Sequence, residues 1–530
     1  MKLRTLLLAL ACVCVALVQA ASPLSLIPLP ASVQQGSGQF TFPAKVQLCV
    51  PSYTGDSVKA VAKRWAGNFT KSTGIKVSVG KKANAAIQLR LNSGLAPEAY
   101  DLQVTRERIV IEAARPAGFF YALQTLNQLL PSRAVMAGVK ATDVQAWTLP
   151  VVTIKDHPRF EWRGFMLDEG RHFYGKEEIK KLLDVMAAYK LNRFHWHLTE
   201  VGAWRNSKVL GWGEVKPDGQ RYGGFYTQKD AREIVRYAQE RFIEIVPEVD
   251  IPGHSQAAVA AYPEFLSCDP QNQHEVWLWQ GVSPDVINVS HPQAVQFAKD
   301  VIDELTAIFP FRYIHLGGDE CPTNKWEANE ACRQQLASIG SKNFRDLQIN
   351  FYRQLQDHIA QKPASEQRQL IFWNEVLHGN TRPLGTDITI MAWVGADGAA
   401  KDAAQRGMKT ILSPQIPYYI NRRQSNLPTE PRSQGHGTET VEAVYNYVPM
   451  AGIPADLQQQ YMGVQANFWT EWVEEASVVQ YLMFPRLAAV AEAGWTPQQL
   501  RKYPDFLERL QAEAKYYELR GVDYGKHVFR

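Results

Sequence analysis

From Trp162 onward the chain repeats one unit, a short apolar β-rich run followed by a loop and commonly by a helical stretch, and the runs number eight. They are GFMLD (164–168), RFHWHL (193–198), EIVPEVD (244–250), YIHLGG (313–318), LIFWNEV (370–376), ITIMAW (388–393), KTILSP (409–414) and VQANFWTE (464–471). Helical spacing marks KEEIKKLLDVMAAYK, QKDAREIVRYAQERF, AVQFAKDVIDELTAIF and FRDLQINFYRQLQDHIA between them, and SVVQYLMFPRLAAVAEAG after the eighth. Alternating strand and helix signals specify a parallel sheet built from βα units, and eight units close it into a (β/α)8 barrel. The alternative, a doubly wound open sheet, would carry a glycine-rich nucleotide turn after its first strand, and none is present.

The 530 residues exceed one ordinary domain. Before the barrel, QFTFPAKVQLCV, AAIQLRLN and YDLQVTRERIVIEA read as strands, while SVKAVAKRWAGNF and AGFFYALQTLNQLLP have helical spacing. That predicts a small α+β domain over 21–155, with 141–158 and its Pro150 and Pro158 as the boundary to a barrel domain over 156–530. Residues 1–20, with Lys2 and Arg4, an apolar run and Val18-Gln19-Ala20, read as a secretory signal peptide, so the chain is expected in the periplasm or outside the cell.

Removing that segment lowers the formal charge from +4 to +2, and no Lys/Arg run stands out beyond it, which argues against a nucleic-acid partner. No later stretch is apolar enough to span a bilayer. Beyond residue 20 the cysteines are Cys49, Cys268, Cys321 and Cys332; their spacing fits neither a zinc site nor a dense disulfide framework, and proximity in sequence makes Cys321 and Cys332 the candidates for a single bridge. Asn68-Phe69-Thr70 and Asn288-Val289-Ser290 are glycosylation sequons.

A barrel places its chemistry at the C-terminal ends of the strands. Those ends carry, in order, Asp168 with Arg171 and His172, His197 with Glu200, Asp250 with His254, Asp319 with Glu320, Trp373 with Glu375, Trp393, Tyr418 with Tyr419, and Trp469 with Glu471. Carboxylates and tryptophans at one mouth suit a carbohydrate, whose ring faces stack on aromatics and whose hydroxyls bond to charged groups. Asp319 and Glu320 are sequence neighbours, whereas the two carboxyls of most retaining glycosidases stand about 5 Å apart on either side of the anomeric carbon. A division of labour fits neighbours better: one residue protonates the departing oxygen, and the other manages a nucleophile belonging to the substrate, such as a 2-acetamido carbonyl. Trp373, Trp393 and Trp469 would box the acetamide methyl.

The chain resembles the retaining β-N-acetylhexosaminidases of glycoside hydrolase family 20. The likeness runs from about residue 25 to the end of the barrel and rests on W-R-G-F-M-L-D-E-G-R-H-F (162–173), N-R-F-H-W-H-L-T-E (192–200), V-P-E-V-D-I-P-G-H (246–254), H-L-G-G-D-E (315–320) and N-F-W-T-E (467–471), with Y-A-L-Q-T-L-N-Q-L-L (121–130) in the smaller domain. It implies exo-acting hydrolysis of terminal β-linked N-acetylhexosamine through an oxazolinium intermediate, a carbohydrate substrate such as an N-acetylhexosamine-ended glycan or a chitooligosaccharide, and no cofactor. By the same resemblance Glu320 is the general acid and base, Asp319 orients the acetamide, and Tyr419 bonds its carbonyl oxygen. Arg163 would grip O3 and O4, Glu471 would bond O4 and O6, and His254, Asp250 and Glu200 would support the acid from behind.

Two departures touch that pattern. Glu200 stands where the commonest family sequence has Asp, with Val201-Gly202-Ala203 after it, and Asn421 replaces an aspartate that helps bind the outer hydroxyls. The neighbouring reading is a covalent retaining enzyme with Glu375 or Glu471 as nucleophile. A further one is a barrel that binds sugar without catalysis, against which the retention of both adjacent carboxylates speaks. His195 and His197, on one strand, are expected to face opposite sides of it, and no metal is expected. The number of subunits is not readable from the sequence.

Overall fold

The computed structural model describes residues 24–200, 219, 223–277 and 281–529. The signal-like segment and the Val201-Gly202-Ala203 departure lie outside them.

The eight expected strands are all present: Trp162–Asp168, Arg193–His197, Glu244–Glu248, Tyr313–His315, Gln369–Trp373, Ile388–Ala392, Lys409–Leu412 and Tyr461–Phe468. Every neighbouring pair is parallel, and the eighth strand closes the ring on the first, with Val464 opposite Arg163 and Phe468 opposite Leu167. Their Val/Ile/Leu-rich runs bury both faces, as a sheet covered by helices outside and filled by side chains inside requires.

The helical layer is less regular than the repeat suggested. The fifth crossover consists of two 3-10 turns, Asn374–His378 and Arg382–Leu384. The helical stretch after the eighth strand is two helices, Ala476–Met483 and Arg486–Trp495, because Pro485 has no N–H to continue the first. After the fourth strand, Asn324–Ala328 and Glu330–Ser338 precede the outer helix Arg345–Ala360.

The smaller domain is a seven-stranded mixed sheet. Its order is Ser32–Thr41, Thr148–Asp156, Tyr100–Val104, Ile109–Ala113, Ile87–Leu91, Lys45–Cys49, Lys76–Gly80. Two of these strands were not expected. The supposed boundary segment supplies Thr148–Asp156, which is flanked on both sides only from Val152 onward, so Pro150 sits where its missing N–H removes no second ladder. Helix Pro116–Leu129 packs on this sheet so closely that a Cβ on Gly118 would lie 2.4 Å from the Ala99 carbonyl oxygen.

Buried charge joins the two domains. Lys190 Nζ lies 3.0 Å from Asp156 Oδ2, whose other oxygen accepts the Trp495 indole N–H at 2.9 Å. Arg163 occupies the same seam. It donates to both oxygens of Glu98 (2.9 and 2.8 Å) and to the carbonyls of Lys190 and Phe160. This overturns its expected role: as second residue of the first strand it stands at the N-terminal end of the barrel, opposite the mouth, and anchors the smaller domain. Among the described residues no helix is long and apolar enough to cross a membrane.

Candidate active site

The strand ends bring the expected carboxylates and aromatics together around the barrel mouth, over a polar interior. Glu248, at the end of the third strand, is its hub. Its carboxylate lies 2.9 Å from His195 Nε2, 2.5 Å from His197 Nδ1 and 2.9 Å from His315 Nδ1, and accepts the Trp373 indole N–H at 2.8 Å. Burial alone would keep Glu248 protonated, but the three imidazoles hold its carboxyl well below the usual range. Both His195 and His197 reach it, which corrects the expectation that they diverge: residues two apart share one face of a strand. Glu248 was not singled out from the sequence, although V-P-E-V-D places it two residues before Asp250, on the same inward face.

From Glu248 a line of paired groups runs to the mouth. His197 Nε2 lies 3.3 Å from Glu200 Oε1; Glu200 Oε2 lies 3.1 Å from His254 Nδ1; His254 Nε2 lies 3.5 Å from Glu320 Oε2. Glu200 therefore bridges the two histidines despite departing from the commoner aspartate. Burial disfavours charge on His254, yet Glu200, Glu320 and Asp250 hold its pKa well above the usual histidine value. The His254 cation in turn, through its hydrogen bond, holds Glu320 below the ordinary glutamate value.

Asp319 and Glu320 follow Gly317 and Gly318 but face different surroundings. The Glu320 side chain is 44% exposed; Asp319 is buried. Asp319 is hydrogen-bonded to Asp250, whose Oδ1 also accepts from Gly318 N at 2.8 Å. Burial and the neighbouring Asp250 charge raise Asp319 well above the carboxylate range, and burial pushes Asp250 up to about 6. Asp319 Oδ1 is buried with no protein partner among the described residues.

The glycines serve these carboxylates. A Cβ on Gly317 would lie 1.8 Å from Asp250 Oδ1, and one on Gly318 2.4 Å from Tyr352 Oη, each at positive φ. The space they free is filled by the protein's own side chains.

An aromatic wall faces the pair. Trp373 and Trp469 have ring centres 5.9 Å apart, Tyr419 and Trp469 6.2 Å, and Trp393 lies parallel to Tyr419 at 5.8 Å. The Tyr419 hydroxyl oxygen is bonded by Trp469 and Asn467, which leaves its proton to donate, and burial raises its pKa well above the tyrosine value. Tyr418 turns away and packs edge-on against Tyr447. Trp393 Nε1 donates to Glu375 Oε2 at 2.7 Å.

Arg171 occupies the place at the mouth that Arg163 does not. It donates to Asp168 at 3.0 Å, pairs with Glu200 at 2.6 Å, and lies 5.2 Å over Trp469. The sequence signal for it was the position three residues beyond the strand end. Glu471 is close enough to interact with Arg171, and burial raises its carboxyl. Asn421 is buried and donates to Gln434 Oε1 at 3.0 Å, giving it no solvent-facing atom. Cys321 and Cys332 do not pair: Cys332 lies beside Cys268, the two thiols hydrogen-bonded.

The mouth thus joins an exposed carboxyl, a buried carboxyl beside a second one, and a wall of indoles, a set of groups that suits a sugar ring with its apolar faces and hydroxyl edges. The chain belongs to glycosyl hydrolase family 20: residues 160–498 match the catalytic domain of that family and residues 24–157 its domain 2. It is 36% identical to a beta-hexosaminidase of Porphyromonas gingivalis, across 94% of this chain and 64% of that protein, and 32% identical to one of Vibrio furnissii, across 89% and 77%. The chain thus spans just under two thirds of the length of the first of these. Among solved structures, the exo beta-N-acetylglucosaminidase of Vibrio harveyi in complex with N-acetylglucosamine superposes with a TM-score of 0.81 at 31% identity, covering 94% of this chain and 78% of that one. The beta-N-acetylhexosaminidase of Streptomyces coelicolor gives 0.79 at 29%, covering 95% of this chain and 98% of that one.

Proposed function

We propose that the chain removes terminal β-linked N-acetylhexosamine from the non-reducing ends of glycans or chitooligosaccharides by substrate-assisted retaining hydrolysis. The observation that carries this reading is Asp319 Oδ1, a buried acceptor without a protein donor that sits beside an exposed acid and opposite a tyrosine with a proton to give. An acetamide supplies the matching groups: its N–H to Asp319, its carbonyl oxygen to Tyr419, and its methyl to the tryptophan wall. Held there, the carbonyl oxygen attacks the anomeric carbon as Glu320 protonates the leaving oxygen. Asp319 offsets the positive charge on the oxazolinium nitrogen, and Glu320 then takes a proton from the water that opens the ring. Sugar binding covers the exposed Glu320 and removes its water, which raises its pKa toward the protonated state that the first step requires. On this reading Arg171 and Glu471 bond the outer hydroxyls.

The covalent alternative is disfavoured by the same geometry. Glu375 is bonded to the Trp393 indole, and burial raises the carboxyls of both Glu375 and Glu471, which weakens either as a nucleophile. Residues 1–20 support an exported enzyme meeting its substrate outside the cytoplasm.

Release of 4-nitrophenol from its β-N-acetylglucosaminide is expected from the wild type and is expected to fall by about 10²-fold or more in Glu320→Gln. The 4-nitrophenyl glucoside, lacking the acetamide, should be a poor substrate, and a thiazoline mimic of the oxazolinium ion a strong inhibitor. Equal turnover of the two glycosides with no thiazoline inhibition would refute the substrate-assisted reading.

A further inference from the structure

We propose that Cys268 and Cys332 form a disulfide that ties the loop carrying His254 to the helical segment that follows Glu320. Cys268 lies midway along the excursion between the third strand and helix Pro292–Ile308, just past helix Pro263–Leu266, and Cys332 lies in the first turn of helix Glu330–Ser338. Two asparagines fix the junction. The Asn329 amide donates to the Cys268 carbonyl at 2.9 Å while its oxygen accepts from Cys332 N at 3.1 Å. The Asn288 amide donates to the Ser267 carbonyl at 3.3 Å, and its oxygen accepts from Cys332 Sγ at 3.5 Å. Lys325 adds an ionic clasp across the same seam, 2.8 Å from Asp269 and 3.2 Å from Asp285. Backbone and side-chain bonds on both flanks thus hold the two cysteines side by side, with their thiols in hydrogen-bonding reach of each other. Cys49 lies in the smaller domain, and Cys321 is buried against Asp250 and Asp319.

The oxidant is an external disulfide. Cys268 is the partly exposed member and Cys332 the buried one, so an external disulfide meets Cys268 first; its hydrogen bond to Cys332 and its burial hold the Cys268 thiol protonated well above the ordinary thiol value, and it gives up that proton as its sulfur attacks, forming a mixed disulfide and releasing one thiol. Cys332, whose thiol is held below its ordinary pKa by hydrogen bonds from Cys268 and Ser290, then attacks the Cys268 sulfur and releases the second. Two protein thiols and one external disulfide become one protein disulfide and two external thiols, the thiol protons passing to the leaving sulfurs. The bridge spans the two segments whose side chains meet at the His254–Glu320 contact and therefore restrains that contact without touching substrate.

The test uses the full chain treated with oxidised glutathione, blocked with an alkylating reagent, digested and mapped without reduction. The expected product is one linked peptide pair containing Cys268 and Cys332, lost in both Cys268→Ser and Cys332→Ser, with Cys49 and Cys321 alkylated. The oxidised wild type should melt about 3 °C above the reduced form, a difference absent from either variant. A linked pair containing Cys321, or complete alkylation of Cys268 and Cys332 after oxidation, overturns the proposal. Should either serine variant fail to fold, the wild-type map alone gives the answer.

Discussion

His254 Nε2 stands 3.5 Å from Glu320 Oε2, and this contact holds the acid below the ordinary glutamate value. The imidazole is charged because Glu200 grips its other nitrogen at 3.1 Å. A cation at that distance favours the glutamate anion, which is the wrong state for the first proton transfer and the right one for the second. Substrate desolvation has to win the first step, and His254 assists the return to the anion.

Replacing His254 with Gln removes the cation while leaving an amide within reach of Glu200. Glu320 should then keep its proton to higher pH, so the alkaline limb of kcat/KM moves upward, with a loss of roughly tenfold or more in activity. The check is the pH profile of both enzymes on 4-nitrophenyl β-N-acetylglucosaminide. A limb at the same pH in the variant would show that His254 does not set the ionisation of the acid.

The Asp250–Asp319 pair predicts an acidic limb. Asp319 accepts an acetamide N–H only as a carboxylate, and Asp250 raises its pKa; Asp250→Asn removes that charge and should shift the acidic limb to lower pH. Stability follows the same groups. Asp250 rises from 3.8 to about 6 on folding, so its contribution is fully present below its unfolded value and is lost as pH climbs through about 6. Asp250→Asn, which has no proton to lose, should therefore be less destabilised relative to the wild type at pH 8 than at pH 4, as thermal melting at the two values will show.

Arg163 and Arg171 separate anchoring from substrate binding. Arg163→Gln leaves Glu98 and two backbone carbonyls without their donor in a buried seam and should cost about 3 kcal/mol of stability with KM unchanged. Arg171→Lys keeps a charge beside Asp168 and Glu200 but loses the planar fork, so KM should rise with a smaller change in melting temperature. Melting curves and steady-state kinetics on both variants test this. A raised KM in Arg163→Gln at unchanged stability would return that residue to the site.

The same two arginines mark where the sequence was legible. The eight strands could be read because apolar runs and breakers repeat, Asp319, Glu320 and the tryptophans because they close those runs or follow them directly, and Tyr419 because it stands in the loop after the seventh. Arg163 was misplaced because a motif gives order along the chain, whereas only its position at the start of a strand says which end of the barrel it occupies. Thr148–Asp156 was missed because Pro150 reads as a breaker when the partner strands are unknown. Glu248 looks like one more strand residue until three imidazoles from two other strands converge on it, and the Cys268–Cys332 contact joins residues from two separate loops that no spacing rule connects.

Gly317 and Gly318 offer the sharpest separation of steric from conformational effects. Both have positive φ, which costs an alanine roughly 1–2 kcal/mol wherever it occurs. Gly138 has φ 68° with nothing within 4 Å of an added Cβ, so Gly138→Ala should show that cost alone, as a small drop in melting temperature with normal activity. Gly317→Ala would drive its methyl into Asp250 at 1.8 Å, displacing the carboxylate that Gly318 N and Asp319 depend on. Gly318→Ala meets Tyr352 Oη at 2.4 Å, and that hydroxyl is held by the Ile251 carbonyl at 2.7 Å. Both variants should therefore lose far more activity than Gly138→Ala at comparable folded content, measured by kcat/KM beside circular dichroism. Normal activity in Gly317→Ala would mean that Asp250 is free to move, and that Asp319 does not need it.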